Sequence, residues 1–453
     1  MPLGELMAKS TFDTPYIKIV VMDTKTHIIK NFESLASSSL RKQALLVAEA
    51  GYAAINTRQA VRRNFRYDQK KQRLKIFHQE FDLRKFKRVV CVGFGKAAFE
   101  AIAAIQEILR DRIAGGFVLD VKAGSLEKIV CRVGTHPFPS KANMEATDEL
   151  VEMLEACRED DLVICAVSGG GSALLCRPYQ ISFETERAIT EALTAKGATI
   201  QEVNTVRKHI SRVKGGNLAK IIYPATCVSL IFSDVPGDDI AMVASGPTVK
   251  DLTTNADAAA ILAKYKVLER CGLPSCHLAE TPKEDKYFSR AHNILFVSAR
   301  QALNAMANRA EELGLQTEIF AYDFQGLAQD LALQITARLR PGVCLLGAGE
   351  STVKLTGKGK GGRNQELALA ALKNLHEHQV LACLASDGRD NTEAAGAIVD
   401  SQVLTRAERL RLRVEDFVQN NDSFNFFDRT GDLAYTGNTG SNVSDFFVGV
   451  AGR

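Results

Sequence analysis

"KRVVCVGFGKAAFEAIAAIQEIL", residues 87 to 109, decides the fold. Its first half is a short apolar run closed by two glycines, and its second half carries alanine and aliphatic residues at helical spacing. That predicts a buried strand, a tight turn and a helix packed on a sheet. The strand, turn and helix alternation returns in "GGFVLDV" (115–121), "DLVICAVSGGG" (161–171) and "TCVSLIFSDVPGDD" (226–239). Repetition of this kind specifies an α/β fold, a parallel sheet with helices on both faces.

Residues 266–290 break the pattern with Pro274, Pro282 and charges, and a second α/β series follows from "HNILFVSA" (292–299) to "VLACLASDGRD" (380–390). A chain of 453 residues exceeds what one hydrophobic core serves. The sequence therefore divides into an N-terminal extension of unknown role (1–33), a first domain (34–270), a linker (271–290) and a second domain (291–453). The one alternating run in the extension is "YIKIVVMDT" (16–24).

Composition narrows the function. No apolar run approaches the eighteen or so residues of a membrane span, and no targeting peptide is evident. The formal charge of +4, from 57 basic and 53 acidic side chains, excludes a surface built wholly for nucleic acid. One stretch, Arg58 to Arg88, holds twelve Lys or Arg against three acids, a pattern shared by polyanion-binding segments and by solvated helix and hairpin faces. Ten cysteines without a framework indicate a reducing, cytoplasmic setting. "CGLPSCH" (271–277) lacks a second cluster to complete a zinc site. A homodimer is compatible with the sequence but not required by it.

The chemistry gathers at strand ends, where helix N-termini present free N–H groups. Gly169, Gly170 and Gly171, flanked by Ser168 and Ser172, can turn successive amides toward one anion, which predicts a phosphate cradle. Gly93-x-Gly95-x-x-Ala98 fits a dinucleotide turn with Asp120 as ribose acceptor, so a nicotinamide-dependent dehydrogenase of a small hydroxy acid stays open. Lys96 would put a cation beside the same helix start. "EVNTVRKHISRVKGGNLA" (202–219) adds Asn204, Arg207 and Lys214 before a Gly-Gly pair. Asp234 and Asp238 follow an apolar strand, where carboxylates hold Mg²⁺ or take a proton, and Asp387 recurs in the second domain. Glu350, Arg363 and Asn364 stand at strand and helix ends, and "TGNTGSNVSD" (436–445), with Asn442, suits close approach to an anion. No Walker A loop is present. A non-catalytic module that binds a sugar phosphate or nucleic acid is the third alternative.

Taken in order, "VGFGKAA", "GTHPFPS", "AVSGGGSALL", "EVNTVRKHISRVKGGNLA", "FSDVPGDDIAMVASGPT", "GESTVKLTGKGKGGRNQELAL", "SDGRDNTEAAGAIVD" and "TGNTGSNVSDFFV" resemble the class II glycerate kinases, the family with a Rossmann-like N-terminal domain and a C-terminal MOFRL domain. The resemblance implies ATP-dependent phosphorylation of D-glycerate at its 2-hydroxyl, with Mg²⁺, in a cleft between the two domains. By motif, Lys96 and Arg363 correspond to the family's essential lysine and arginine. It further implies that the 168–172 turn carries nucleotide phosphates, that Asp234 is the base or metal-linked carboxylate, and that Asp387 and Glu350 line the other wall. Arg389 and Asn391 depart from the family pattern in their loop.

Overall fold

The computed structural model describes residues 27–452. Its first sheet has six strands, all parallel, in the spatial order Ile129–Val133, Ile113–Asp120, Arg88–Phe94, Asp161–Ser168, Thr226–Phe232 and Ala291–Val297. By position in the chain this order is 3-2-1-4-5-6, so the winding reverses between Arg88–Phe94 and Asp161–Ser168. Doubly wound sheets bind ligands at that reversal, beyond the carboxyl ends of the strands. Both glycine turns, at Gly95 and at Gly169–Gly171, sit there.

Central strands covered on both faces must be apolar throughout, and all eight residues of Asp161–Ser168 are buried. Helix Ala98–Leu109 packs on one face with Val89, Cys91 and Ile164. Helices Lys141–Glu155 and Asn217–Ile222 cover the other with Val90, Val92 and Val163.

The second sheet is mixed, in the order Gln316–Leu327, Val343–Thr352, Asp445–Ala451, Gln379–Ala385, Gly396–Asp400 and Leu433–Ala434. Its first pair is parallel and every later pair antiparallel. The last strand of the chain therefore lies in the middle of the sheet, with Asp445 opposite Gly349 on one side and Ala385 on the other.

Sheet membership moves the boundaries expected from sequence. Ala291–Val297 is the edge strand of the first sheet rather than the start of the second unit, because it pairs with Thr226–Phe232. The 271–290 segment is no free linker: Ala279 N–H donates to the His209 carbonyl (2.7 Å), and Lys283 Nζ donates to the carbonyls of Asp251 (3.0 Å) and Thr253 (2.5 Å).

Helix Ser39–Ile55, N-capped by the Ser38 hydroxyl, belongs with the second sheet. It lies against helix Ala299–Glu312 so closely that a β-carbon on Gly51 would fall 1.9 Å from Met306 Cε. Its Arg41 is 2 % exposed and donates from Nε to Asp400 and from Nη2 to Asp432, both at 2.7 Å.

Residues 27–33 of the expected extension are also built in. Ile29 and Phe32 are buried, and Lys30 N–H and Asn31 Nδ2 donate to the carbonyls of Tyr435 (2.7 Å) and Leu433 (2.8 Å). The "YIKIVVMDT" run lies outside the described residues. One lobe is thus residues 57–297 and the other 27–55 with 299–452, and the chain passes between them twice.

The basic stretch from Arg58 to Arg88 spans a helix and a three-stranded antiparallel meander, Phe65–Asp68, Arg73–Ile76 and Gln79–Asp82. Much of its charge is spent internally, in the pairs Arg58–Glu100, Arg62–Glu107, Arg84–Asp82 and Arg88–Asp161. No helix among the described residues is long and apolar enough to cross a membrane.

Candidate active site

A cleft of about 140 Å³ opens where the lobes face each other. Lys96, Ala97, Ser168 and Gly169 line it from the first lobe, and Asp387, Arg389, Asn438, Gly440, Ser441 and Asn442 from the second. Ile55, Thr57 and Val297 line it at the two crossings, and Val121, Lys122, Phe232 and Val443 line the rest.

The first-lobe wall is made by two turns fastened together. Lys96 N–H donates to the Gly169 carbonyl (2.9 Å) and Ala97 N–H to Ser168 Oγ (3.1 Å). Gly95, with φ +118, has room for no β-carbon, since one would stand 2.2 Å from Ser168 Oγ.

The glycine triplet turns out to make room for the protein's own groups. A β-carbon on Gly169 would meet Asp234 Oδ2, one on Gly170 would lie 3.1 Å from Lys96 Cγ and Cε, and one on Gly171 would lie 2.6 Å from Ala244 Cβ. What passes close to the side-chain faces of Gly169 and Gly170 is a carboxylate and a lysine stem. Burial raises the Asp234 carboxyl above its ordinary range, Lys96 opposes that, and the charge of Glu350 across the cleft adds to it. His136, 3.0 Å from the same virtual carbon on Gly170, has its pKa lowered by burial and by Lys96.

On the second lobe, Arg363 opens helix Arg363–Ala371. Its Nε donates to Asp445 (2.5 Å) and its Nη1 to Glu350 (2.8 Å). Burial works against its charge, but the two carboxylates outweigh this and raise its pKa. Asp445 is driven by burial up to about 7, with Arg363 opposing and Asp390 reinforcing the rise. Asp390 fills the helix N-terminus, accepting from the N–H groups of Asn364 (3.1 Å) and Gln365 (2.8 Å).

The predicted residues thus divide. Lys96, Ser168, Gly169, Asp387 and Asn442 line the cleft, with Asp234 against Gly169, and Glu350 and Arg363 form a pair on the second lobe. Lys214 is fully buried in an ion pair with Glu186, so it is a structural cation rather than a nucleotide contact. Asn364 is 2 % exposed and its side-chain amide is spent on Asp390. Asn204 is buried too, accepting from Ser245 (2.6 Å), which bonds Ser172 (2.9 Å). Arg207 is half-buried, and burial lowers its pKa against the pull of Glu186.

Asp238 turns toward the hydroxyls of Ser298 and Ser233. No group of three or more His, Cys, Asp or Glu able to hold an ion occurs among the described residues, so Asp234, Asp238 and Asp387 are not gathered into one metal cluster. Sequence reasoning missed His136 and Asp445, although both lie in or beside motifs it quoted, "GTHPFPS" and "TGNTGSNVSD".

Residues 43–276 match a family described as a domain of unknown function, DUF4147, and residues 343–445 match the MOFRL family. A glycerate 2-kinase of Pyrococcus horikoshii is 38 % identical over 82 % of this chain and 89 % of its own. The crystal structure of glycerate kinase from Thermotoga maritima superposes with a TM-score of 0.80 at 31 % identity, covering 91 % of this chain and 99 % of that one. The chain belongs to the class II glycerate kinase family.

A relative from Agrobacterium vitis, 38 % identical over 79 % of this chain and 86 % of its own, carries the name hydroxypyruvate reductase with the qualifier of an unproven assignment. The dinucleotide turn of this glycerate kinase family member does not support that chemistry. Asp120, the expected ribose acceptor, is 1 % exposed and already accepts from the N–H groups of Phe99 (2.9 Å) and Val121 (2.6 Å). A β-carbon on Gly93 would meet Ile102, so that glycine serves strand–helix packing.

Proposed function

We propose that the protein transfers the γ-phosphoryl group of ATP to the 2-hydroxyl of D-glycerate, giving 2-phospho-D-glycerate and ADP. The observation that carries this is the cleft that Lys96, Ser168 and Gly169 line from one lobe and Asp387, Ser441 and Asn442 from the other, with Asp234 against Gly169 and the Arg363–Glu350 pair on the second lobe. Phosphoryl transfer is mostly positioning and charge stabilisation, which two cations on opposite walls supply. Asp234, whose carboxyl favours the proton more than a free aspartate does, accepts it from the 2-hydroxyl as the new P–O bond forms and the bond to ADP breaks. Lys96 and Arg363 hold the substrate carboxylate and the phosphoryl oxygens, and the lobes exclude water as a competing acceptor.

The donors suit Mg²⁺ brought in with the nucleotide. Asp387 would hold it, since this ion takes one or two carboxylates and completes its shell from phosphates and water, and it would offset phosphate charge. Ser168, Gly169 and Asn442 are the cleft groups nearest a nucleotide in this reading. Ten free cysteines, seven of them buried, support a cytoplasmic enzyme.

Incubation with Mg-ATP and D-glycerate, followed by phosphorus NMR of the product, tests the proposal. A 3-phosphate product, or ADP formed without regard to glycerate, would refute it.

A further inference from the structure

The guanidinium of Arg363 is held by two acids of different character. Glu350 has a side chain 39 % exposed, whereas that of Asp445 is 6 % exposed. A carboxylate so deep is costly unless something needs it there. The fold does not: Asp445 begins a strand whose next residues, Phe446, Phe447 and Val448, are ordinary core. It is also among the best anchored backbone positions of the lobe, paired in register with Gly349 and with Ala385.

We propose that Asp445 is a positioning residue for the transfer reaction, fixing Nε of Arg363 so that the terminal nitrogens are presented to the cleft. This rests on the kinase reading above. With Nε tied to the sheet and Nη1 shared with Glu350, Nη2 has no partner among the described residues and is left for a phosphoryl or carboxylate oxygen. A planar guanidinium pinned at one corner keeps its orientation between turnovers, so little freedom is lost when ligand arrives. A lysine in its place has no second corner to pin.

The groups facing Asp445 are Arg363 and Asn364 from the helix, Asp390 from the loop before Gly396–Asp400, Cys383 from the neighbouring strand and Tyr52 from helix Ser39–Ile55. Asp390 and burial work against ionisation of Asp445, and Arg363 works for it. Arg363 stays charged while Asp445, held up to about 7, takes a proton as pH falls, so the clamp loosens and turnover drops.

The test is a double-mutant cycle of Asp445→Asn and Arg363→Lys in the full chain, with kcat and KM measured for Mg-ATP and D-glycerate. Asp445→Asn is expected to lower kcat by about 100-fold with KM changed less than about threefold, and to add less than about twofold in the Arg363→Lys background. The wild-type kcat/KM is expected to show an acid limb near pH 7, which requires no variant to fold. Losses that multiply in the double variant, or a wild-type profile flat from about pH 6 to 8, overturn the positioning role. Full turnover by Arg363→Lys would instead remove the kinase assignment of Arg363 and, with it, this inference.

Discussion

A β-carbon on Gly169 would stand 2.0 Å from Oδ2 of Asp234. The glycine is therefore what allows the carboxylate to reach the first-lobe wall beside Lys96. Gly169→Ala should fold, because the left-handed φ (+79°) belongs to Gly170 rather than to Gly169, but it must push Asp234 aside. A displacement of that size is expected to cost about 100-fold in kcat, read by coupled ADP release beside an unchanged circular dichroism spectrum.

Lys96→Ala and Arg363→Ala each remove one of the two cations offered to the transferring group. Turnover is expected to fall by about 10³-fold or more in either, with the melting temperature little changed for Lys96→Ala. Activity within about tenfold of wild type in both variants would contradict the two-wall site.

Asp234 makes stability and activity run in opposite directions with pH. Its native pKa is raised from 3.8, chiefly by burial, so the folded state binds the proton more tightly than the unfolded chain. The stability it contributes is present below its unfolded pKa and is lost as pH rises toward the native value. Catalysis needs the ionised form and is lost as pH falls through the same window. Asp234→Asn is expected to be inactive throughout yet to melt higher than wild type at pH 8, with the difference shrinking as pH falls toward 3.8 in a thermal-melt series.

Arg41 neutralises Asp400 and Asp432 inside the second lobe. Arg41→Ala leaves Asp400 buried without a cation and Asp432 with Arg406 alone, and is expected to cost about 3–5 kcal/mol in urea unfolding. A loss below about 1 kcal/mol would mean that Arg406, which also reaches Asp432, carries the pairing alone.

Asp120 tests the dehydrogenase alternative. If its carboxylate serves the backbone N–H groups of Phe99 and Val121, Asp120→Ala lowers the melting temperature without altering nucleotide preference. Mg-ATP should raise the melting temperature of the wild type, whereas NADH should not.

Much of this was readable from the chain alone. Strand and helix periods gave the first sheet, and Lys96, Asp234 and Arg363 stood out as charges at element ends next to glycine. What escaped depends on distance through space. Hydropathy marks Ala291–Val297 as a strand but cannot say which sheet it joins. Lys214 and Lys96 each stand beside glycines, and only the approach of Glu186 separates a buried structural cation from a cleft cation. A glycine records that something comes near without recording what, so the approach of Asp234 to Gly169 could not be read from the triplet. Asp445 was hidden among small polar residues, and its meaning came from the hydrogen bond that Arg363 donates to it from a helix 82 residues earlier in the chain.

The polypeptide changes lobes near Asn56 and again near Ser298. Two such connections limit any opening to a swing about the line that joins them, much as a door is limited by a pair of pins. Ile55, Thr57 and Val297 lie next to that axis and are carried least. A cut between the two sequence-matched regions would not yield separable halves, because the N-terminal helix would leave with the wrong piece.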